Sequence, residues 1–542
     1  MIEVSVFQGE RKTKINGKEQ ESMWDTLIRN HIYFSAVCGG KGTCGKCKVH
    51  FLYGAPVFTA TECNFFDKEK LEDGWRLACL SLLEKNCGIE LESKNEMDFE
   101  VVSSYGGIDD EVGNARENRI EEPGYYIGID IGTTTVAINL IGKASGTIYH
   151  TYTTVNRQCT VGTDVISRIQ ASNEGKGEWL TESIRKELYD GIKSVVAKAK
   201  VDLGKVEKIA IAGNTTMLHL LMGFSCETLG IFPFTPVNVN TIETSFEHLF
   251  TQQMNQMQPV EQMQQMKRDK QKIPCRCLAK VTLLPGISTF VGADITAGMF
   301  ACGFDKLKNP SLLLDLGTNG EMALGNKDKI MVTSTAAGPA FEGGNISCGM
   351  GSVQGAICNV ELGNEIHITT IGNKPPIGLC GTGVVETVYE LMHAGFIDDT
   401  GAFDTHLQED GFKLAETQKG EPIVFTQKDI REVQLAKSAV RAGIETLLIR
   451  YGITYKEVDT VFLAGGFGYK INLEKAVGIG MIPKELERKI VTVGNSSLGG
   501  AIAYLSETNA IKRMEDIIYV AEEIELSMDK DFREFYMDYM FF

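Results

Sequence analysis

Two segments of this chain share one layout. An apolar strand runs into an aspartate, a Gly-Thr turn follows, and a second apolar strand leaves. The first is YYIGIDIGTTTVAINLI over 125–141, and the second is SLLLDLGTNGEMAL over 311–324. In the first, Asp130 precedes Gly132, Thr133, Thr134 and Thr135; in the second, Asp315 precedes Gly317, Thr318, Asn319 and Gly320. A lone Asp-x-Gly-Thr turn occurs in ordinary hairpins. A pair about 185 residues apart, each framed by apolar strands, predicts a duplicated α/β fold with a ligand between its halves.

The residue types suit phosphate. Glycine lets backbone amides come close to anionic oxygens, threonine hydroxyls donate, and an aspartate holds Mg²⁺ through water. A P-loop is excluded, because the Gly-Lys-Ser/Thr lysine is missing and no helix follows directly. Asp130 and Asp315 are therefore the expected catalytic carboxylates, with the two turns cradling a nucleotide. A third glycine cluster, Gly465, Gly466 and Gly468 in TVFLAGGFGYK, ends a buried strand where backbone can approach a flat base or ribose. Gly381 and Gly383 in GLCGTGVVETVYEL open a helix and are expected to face the same nucleotide. Asp294 is read equally as a third cleft carboxylate or as the N-cap of ITAGMF. Glu321 and Glu342 are further candidates for polarising water. The loop AAGPAFEGGN is read as a cleft rim, with a plain tight turn as the alternative. His219 and His393 sit in helical runs and are read as packed or surface residues.

Near the N-terminus, Cys38, Cys44 and Cys47 lie in the glycine-rich stretch CGGKGTCGKCKV, and Cys79 follows in RLAC after 31 intervening residues. Three thiolates in one loop with a distant fourth can enclose an iron–sulfur cluster. A structural zinc site is the alternative, although zinc ribbons usually pair two short C-x2-C knuckles. Cys275 and Cys277 form a second close pair with no partner pair in sequence.

At 542 residues the chain has room for several domains. The expected division is 1–94, with short strands around one helix and an Asn-Gly hairpin turn in KINGKE; an acidic linker over 95–122; and a nucleotide-binding region split into 123–206 and 207–542. A Gln/Met-rich insertion at 251–272 is read as mobile surface. A formal charge of −17 argues against a nucleic-acid partner. MIEVSVFQGERKTK lacks an apolar signal core and no apolar run approaches about 18 residues, so the cytoplasm is the expected compartment and no membrane partner is expected. The aromatic end REFYMDYMFF is expected to be buried against its own domain or a second subunit.

The cysteine spacing resembles [2Fe–2S] ferredoxins of β-grasp fold. Phosphate turn one, phosphate turn two and the Gly-Gly segment follow the order of the actin, hexokinase and heat-shock ATPase superfamily, and GNSSLGGAIAYL resembles its final connecting helix. Joined together, with IAIAGNTTMLHLLMG, FVGADITAGM and TAAGPAFEGGNISCGM, they are similar to the reductive activators of corrinoid proteins. The resemblance implies a multidomain α+β and α/β protein: a β-grasp [2Fe–2S] ferredoxin domain, then a duplicated actin-like (ribonuclease H-like) ATPase fold. It implies ATP, Mg²⁺ and a [2Fe–2S] cluster as cofactors, and ATP-dependent reduction of a Co(II) corrinoid protein to Co(I). Electrons would come from a reduced ferredoxin, flavodoxin or oxidoreductase, and a homodimer is possible. The alternatives are a small-molecule kinase of acetate or sugar type with an accessory redox domain, and a non-catalytic nucleotide and redox sensor.

Overall fold

The computed structural model describes residues 1–9, 11–30, 32, 40, 42, 45–91, 122–256, 277–466 and 471–542. They fall into two compact units. The first comprises Met1–Met97, Val155–Leu188 and His219–Val237; the second comprises Asp98–Thr154, Tyr189–Leu218 and Asn238–Phe542. The predicted linker 95–122 lies outside the described residues except for Glu122, whose buried carboxylate accepts from the Ala144 and Ser145 amides. Of the 251–272 insertion, residues 251–256 continue the helix Phe246–Gln256, and the rest lie outside the described residues.

The first unit carries a five-stranded sheet in the order β2-β1-β5-β3-β4. Its strands are β1 (Ile2–Gln8), β2 (Arg11–Gly17), β3 (Lys48–Tyr53), β4 (Trp75–Leu77) and β5 (Cys87–Glu90). β1 pairs antiparallel with β2 and parallel with β5, so the last strand enters the middle of the sheet. Gln8 faces Arg11, which puts the hairpin turn after Gln8, where Gly9 takes φ +57°. The predicted Asn-Gly turn is thus corrected: Asn16 and Gly17 end β2, with Gly17 opposite Ile2. Gly17 is small for packing, since a Cβ there would lie 2.2 Å from Leu83 Cδ1. The helix Met23–Arg29 starts on Ser22, whose side chain accepts from the Asp25 amide, and it buries Met23, Trp24, Leu27 and Ile28. Residues 155–188 hold to this helix. Lys176 Nζ sits 3.6 Å from the Trp24 ring centroid, and Trp179 Nε1 donates to the Ile28 carbonyl at 3.0 Å.

The second unit contains two six-stranded sheets. One uses β6 (Tyr125–Ile131), β7 (Thr135–Gly142), β8 (Ile148–Val155), β9 (Val206–Gly213), β10 (Ile242–Ser245) and β11 (Lys280–Leu283), in the order β10-β11-β9-β6-β7-β8. The other uses β12 (Ser311–Leu316), β13 (Gly320–Asn326) and β14 (Lys329–Thr335). After smaller two- and three-stranded sheets formed by β15 (Ala356–Leu362), β16 (Ile366–Thr370), β17 (Gly378–Leu379), β18 (Phe412–Glu416) and β19 (Pro422–Phe425), it adds β20 (Val461–Ala464), β21 (Ile490–Gly494) and β22 (Ala521–Glu523), giving β21-β20-β12-β13-β14-β22. Five strands match between the sheets. Each begins with an antiparallel hairpin (β6–β7, β12–β13), and each opening strand pairs in parallel with a later one (β9, β20) that in turn carries another parallel neighbour (β11, β21). The fold is duplicated, as the two Asp-x-Gly-Thr turns require.

Two helices from the second unit cross tightly. A Cβ on Gly500 of Ser496–Ser506 would lie 2.1 Å from the Ala297 carbonyl, and one on Gly298 of Ala293–Ala301 would lie 2.7 Å from Ser496 Oγ. Glycine at both positions lets the backbones touch, and the crossing brings both helix N-termini to the cleft described below. The C-terminal helix Lys530–Asp538 and its tail dock on the helix Gln427–Tyr451 of their own unit. Lys437 Nζ donates to the Tyr539 carbonyl at 2.8 Å and Gln434 Nε2 to that of Met540 at 2.7 Å. The predicted docking holds through backbone carbonyls, but Met537 and Phe541 remain exposed.

Candidate active site

Each turn is closed by the amide of its first glycine, the first onto the residue three on and the second onto the residue two on. The Gly132 amide donates to the Thr135 carbonyl at 2.8 Å, and the Gly317 amide to that of Asn319 at 3.0 Å. Both turns line one cleft in the second unit, and Thr134 Oγ1 lies 3.2 Å from Thr318 Oγ1. Asn214 joins them from the end of β9, donating to Thr133 Oγ1 at 2.9 Å. Gly465 and Gly466 close one side. Gly465 sits at φ +91°, and a Cβ there would lie 2.3 Å from the Leu316 carbonyl, so the glycine strand end must pass directly over the second turn. Gly468 lies outside the described residues.

Gly381 and Gly383 do not line this cleft. They open the helix Gly381–His393, and a Cβ on Gly383 would lie 2.1 Å from the Ile357 carbonyl. Gly383 is a contact between helix and strand.

Asp130 and Asp315 stand one residue before the ends of β6 and β12, and both line the cleft. Asp130 accepts from Asn495 Nδ2 at 2.9 Å and Ser497 Oγ at 2.6 Å, both at the start of Ser496–Ser506. Asp294 also lines the cleft. The N-cap of its helix is Gly292, which resolves the two readings of Asp294 in favour of a third cleft carboxylate. Glu321 is the fourth. Burial, then Asp294 and Asp130, push the Asp315 carboxyl up to about 7; burial likewise pushes Asp294 up to about 7, with Asp130 adding to it. Burial raises Asp130 as well, against the two hydrogen bonds it accepts, and burial with Asp294 and Asp315 raises Glu321. Among the described lining residues there is no lysine or arginine. Several buried carboxyls with no basic side chain among them make a site that favours positive charge.

The sign of the pH effect follows. Carboxyls raised in the fold stabilise it most below their unfolded range, and that contribution is lost as pH climbs through the folded values near 7. The melting temperature of nucleotide-free protein should fall between about pH 4 and pH 8 by more in the wild type than in Asp315→Asn, and Mg²⁺ with nucleotide should restore it at the high end. Thermal melts across pH check this; identical profiles for the two proteins would contradict it.

In the first unit, Cys47 Sγ and Cys79 Sγ lie 3.3 Å apart, close enough to bind one metal ion together. The Ala78 amide donates to the Cys47 carbonyl at 2.8 Å, pinning the two cysteine segments to each other. Cys38 and Cys44 lie outside the described residues, as does Cys275, while Cys277 is buried. Gly40, Gly42 and Gly45 have φ of +88°, +72° and +64°, and a Cβ on Gly45 would lie 2.3 Å from Phe65 Cδ1. These features fit a thiolate-held cluster in a glycine loop. Gly45→Ala should strain this loop by about 1–3 kcal/mol and cut the iron retained on purification; iron content equal to wild type would contradict that.

Several site residues were not singled out in the sequence. Asn214, Asn495, Ser496 and Ser497 are ordinary polar residues whose only signal is position, directly after a strand and opening a helix. His219 is buried and accepts from the Val237 amide at 2.9 Å, and His393 stacks on Tyr389 at the surface, as expected of packed and surface residues.

Comparison with known proteins agrees with this layout. A 2Fe-2S iron-sulfur cluster binding domain matches residues 6–84, the family described as RACo middle region matches 125–258 and 250–307, and the C-terminal domain of RACo, the ASKHA domain, matches 309–542. The chain is 29% identical to the corrinoid activation enzyme RamQ of Eubacterium limosum, over 97% of this chain and 96% of that protein. It is 26% identical to the [Co(II) methylated amine-specific corrinoid protein] reductase of Methanosarcina barkeri, over 76% of each chain. A solved structure titled reductive activator for corrinoid, iron-sulfur protein superposes with a TM-score of 0.68 at 26% identity, covering 100% of this chain and 98% of that one.

Proposed function

The chain belongs to the family of reductive activators of corrinoid proteins, and we propose that it uses ATP to reduce an inactive Co(II) corrinoid protein to Co(I). The observation that carries this reading is the meeting of both Asp-x-Gly-Thr turns across one cleft, with Thr134 and Thr318 in contact. A simple electron carrier has no use for such a cleft.

When bound by Cys38, Cys44, Cys47 and Cys79, a [2Fe–2S] cluster supplies a one-electron relay between a donor and cobalt. Plant-type clusters sit at roughly −400 mV, and Co(II) held by an axial ligand is harder to reduce than that, so the transfer needs assistance. The second unit's residues supply it by binding ATP. Gly132 to Thr135 and Gly317 to Gly320 would hold the phosphates, Gly465 and Gly466 would lie against the nucleoside, and Asp130 and Asp315 would hold Mg²⁺, whose charge offsets that of the phosphates. Hydrolysis converts ATP and water to ADP and phosphate. It changes the complex only by as much as the two nucleotide states differ in affinity for its conformations.

The electron donor is a reduced ferredoxin, flavodoxin or dedicated oxidoreductase, and the active form is a homodimer in the cytoplasm. No helix among the described residues is long and apolar enough to cross a membrane. Anaerobically purified protein should show [2Fe–2S] absorption and a reduced-state EPR signal, and its ATP turnover should rise when a Co(II) corrinoid protein is added. Zinc in place of iron, or turnover indifferent to the corrinoid protein, would contradict the proposal.

A further inference from the structure

Glu342 ends the short turn Pro339–Glu342 in the AAGPAFEGGN loop and reaches into the cleft between the two phosphate turns. One oxygen, Oε2, accepts from Thr134 Oγ1 at 2.9 Å and from Thr318 Oγ1 at 2.7 Å. Each threonine hydroxyl has a single proton, and each lies within hydrogen-bond distance of this oxygen. The two hydroxyls are themselves 3.2 Å apart. The other carboxylate oxygen lies over the second turn, where a Cβ on Gly317 would be 3.7 Å from it. One anionic oxygen thus takes a donor from each half of the duplicated fold, at the place where the two turns converge.

A phosphoryl oxygen is the same kind of acceptor as a carboxylate oxygen: anionic, compact, and best served by two hydroxyl donors. We propose that the Glu342 carboxylate fills the terminal-phosphate subsite of the nucleotide-free cleft, and that ATP binds by exchanging this carboxylate for its terminal phosphate. The proposal rests on the reading of this cleft as an ATP site and adds how it distinguishes ATP from ADP. Both groups are negative and claim the same two protons, so they cannot occupy the subsite together. ADP ends one phosphate short and leaves Glu342 in place. The turn that carries Glu342 runs between Gly338 at φ +76° and Gly343 at φ +77°, and open space surrounds the Cβ direction of Gly338. Ala340 and Phe341 anchor this turn in the core, so withdrawal of Glu342 would turn its side chain out of the cleft and leave the strands β12 and β13 in place.

Titrations of the full chain with Mg²⁺ and either ADP or the non-hydrolysable analogue AMPPNP test this. Glu342→Gln removes the charge that competes with the terminal phosphate, so its AMPPNP dissociation constant should fall about tenfold, with ADP affinity within about twofold of wild type. Glu342→Ala should shift the AMPPNP-to-ADP preference in the same direction. In the unmodified protein, hydrogen exchange at residues 338–343 should change on adding AMPPNP and stay as it was with ADP. Equal shifts for both nucleotides, no shift in either variant, or exchange at 338–343 indifferent to AMPPNP would overturn the exchange of carboxylate for phosphate. Failure of wild type to bind either nucleotide would overturn the ATP reading beneath it.

Discussion

Asp315→Ala should lower ATP-dependent corrinoid reduction by about 10²–10³-fold while leaving the cluster's absorption and EPR signal intact. Asp315 stands one residue before the end of β12, ahead of the second phosphate turn, and burial together with Asp294 and Asp130 pushes its carboxyl up to about 7. Near neutral pH it is therefore only partly ionised, and an arriving cation completes the ionisation. Removing it deletes the charge that orders Mg²⁺ against the phosphates and leaves the first unit untouched. Asp130→Ala should fall as far for a less clean reason. Asp130 also accepts from Asn495 and Ser497, so its loss unties the start of the helix Ser496–Ser506 as well. The informative comparison is Asp315→Ala against Asp315→Asn, which keeps the volume and loses the charge. Equal loss in both assigns the effect to charge. Activity near wild type in Asp315→Ala would refute the two-turn site.

Cys79→Ser should abolish corrinoid reduction altogether. Cys79 stands 3.3 Å from Cys47, and the Ala78 amide fastens this turn to the Cys47 carbonyl. A serine hydroxyl stays protonated near neutral pH, where a metal-bound thiol does not, so the fourth ligand is lost with little change in shape. The purified variant should contain little iron and show no reduced-state EPR signal, while AMPPNP binding by the second unit is retained. Full iron content with normal reduction would remove Cys79 from the ligand set.

Much of this was legible in the chain because the fold is written in local patterns. The apolar strands carrying Asp130 and Asp315 become β6 and β12, and each is followed by a turn closed by the amide of its first glycine. AAGPAFEGGN, which reads as either a cleft rim or a plain tight turn, places Glu342 in the cleft lining. What the sequence hid was tertiary. Asn495 and Ser497 matter because a helix crossing at Gly298 and Gly500 delivers them to Asp130, and nothing near residue 495 encodes that crossing. Gly381 and Gly383 look like a nucleotide turn because glycine opening a helix has that signature, yet Gly383 answers to the Ile357 carbonyl. Asn16-Gly17 looks like a hairpin turn for the same reason, while Leu83 is what demands the glycine. A glycine states that something comes close; only the fold says what.

The most direct test follows cobalt. The cluster-loaded protein, a Co(II) corrinoid protein and a low-potential electron donor are mixed anaerobically, and the Co(I) absorption is recorded with ATP, with AMPPNP and with no nucleotide. Co(I) should accumulate with ATP and stay near background in the other two mixtures. Equal Co(I) in all three, or none in any while ATP is spent phosphorylating a small acid or sugar, would contradict ATP-dependent reductive activation.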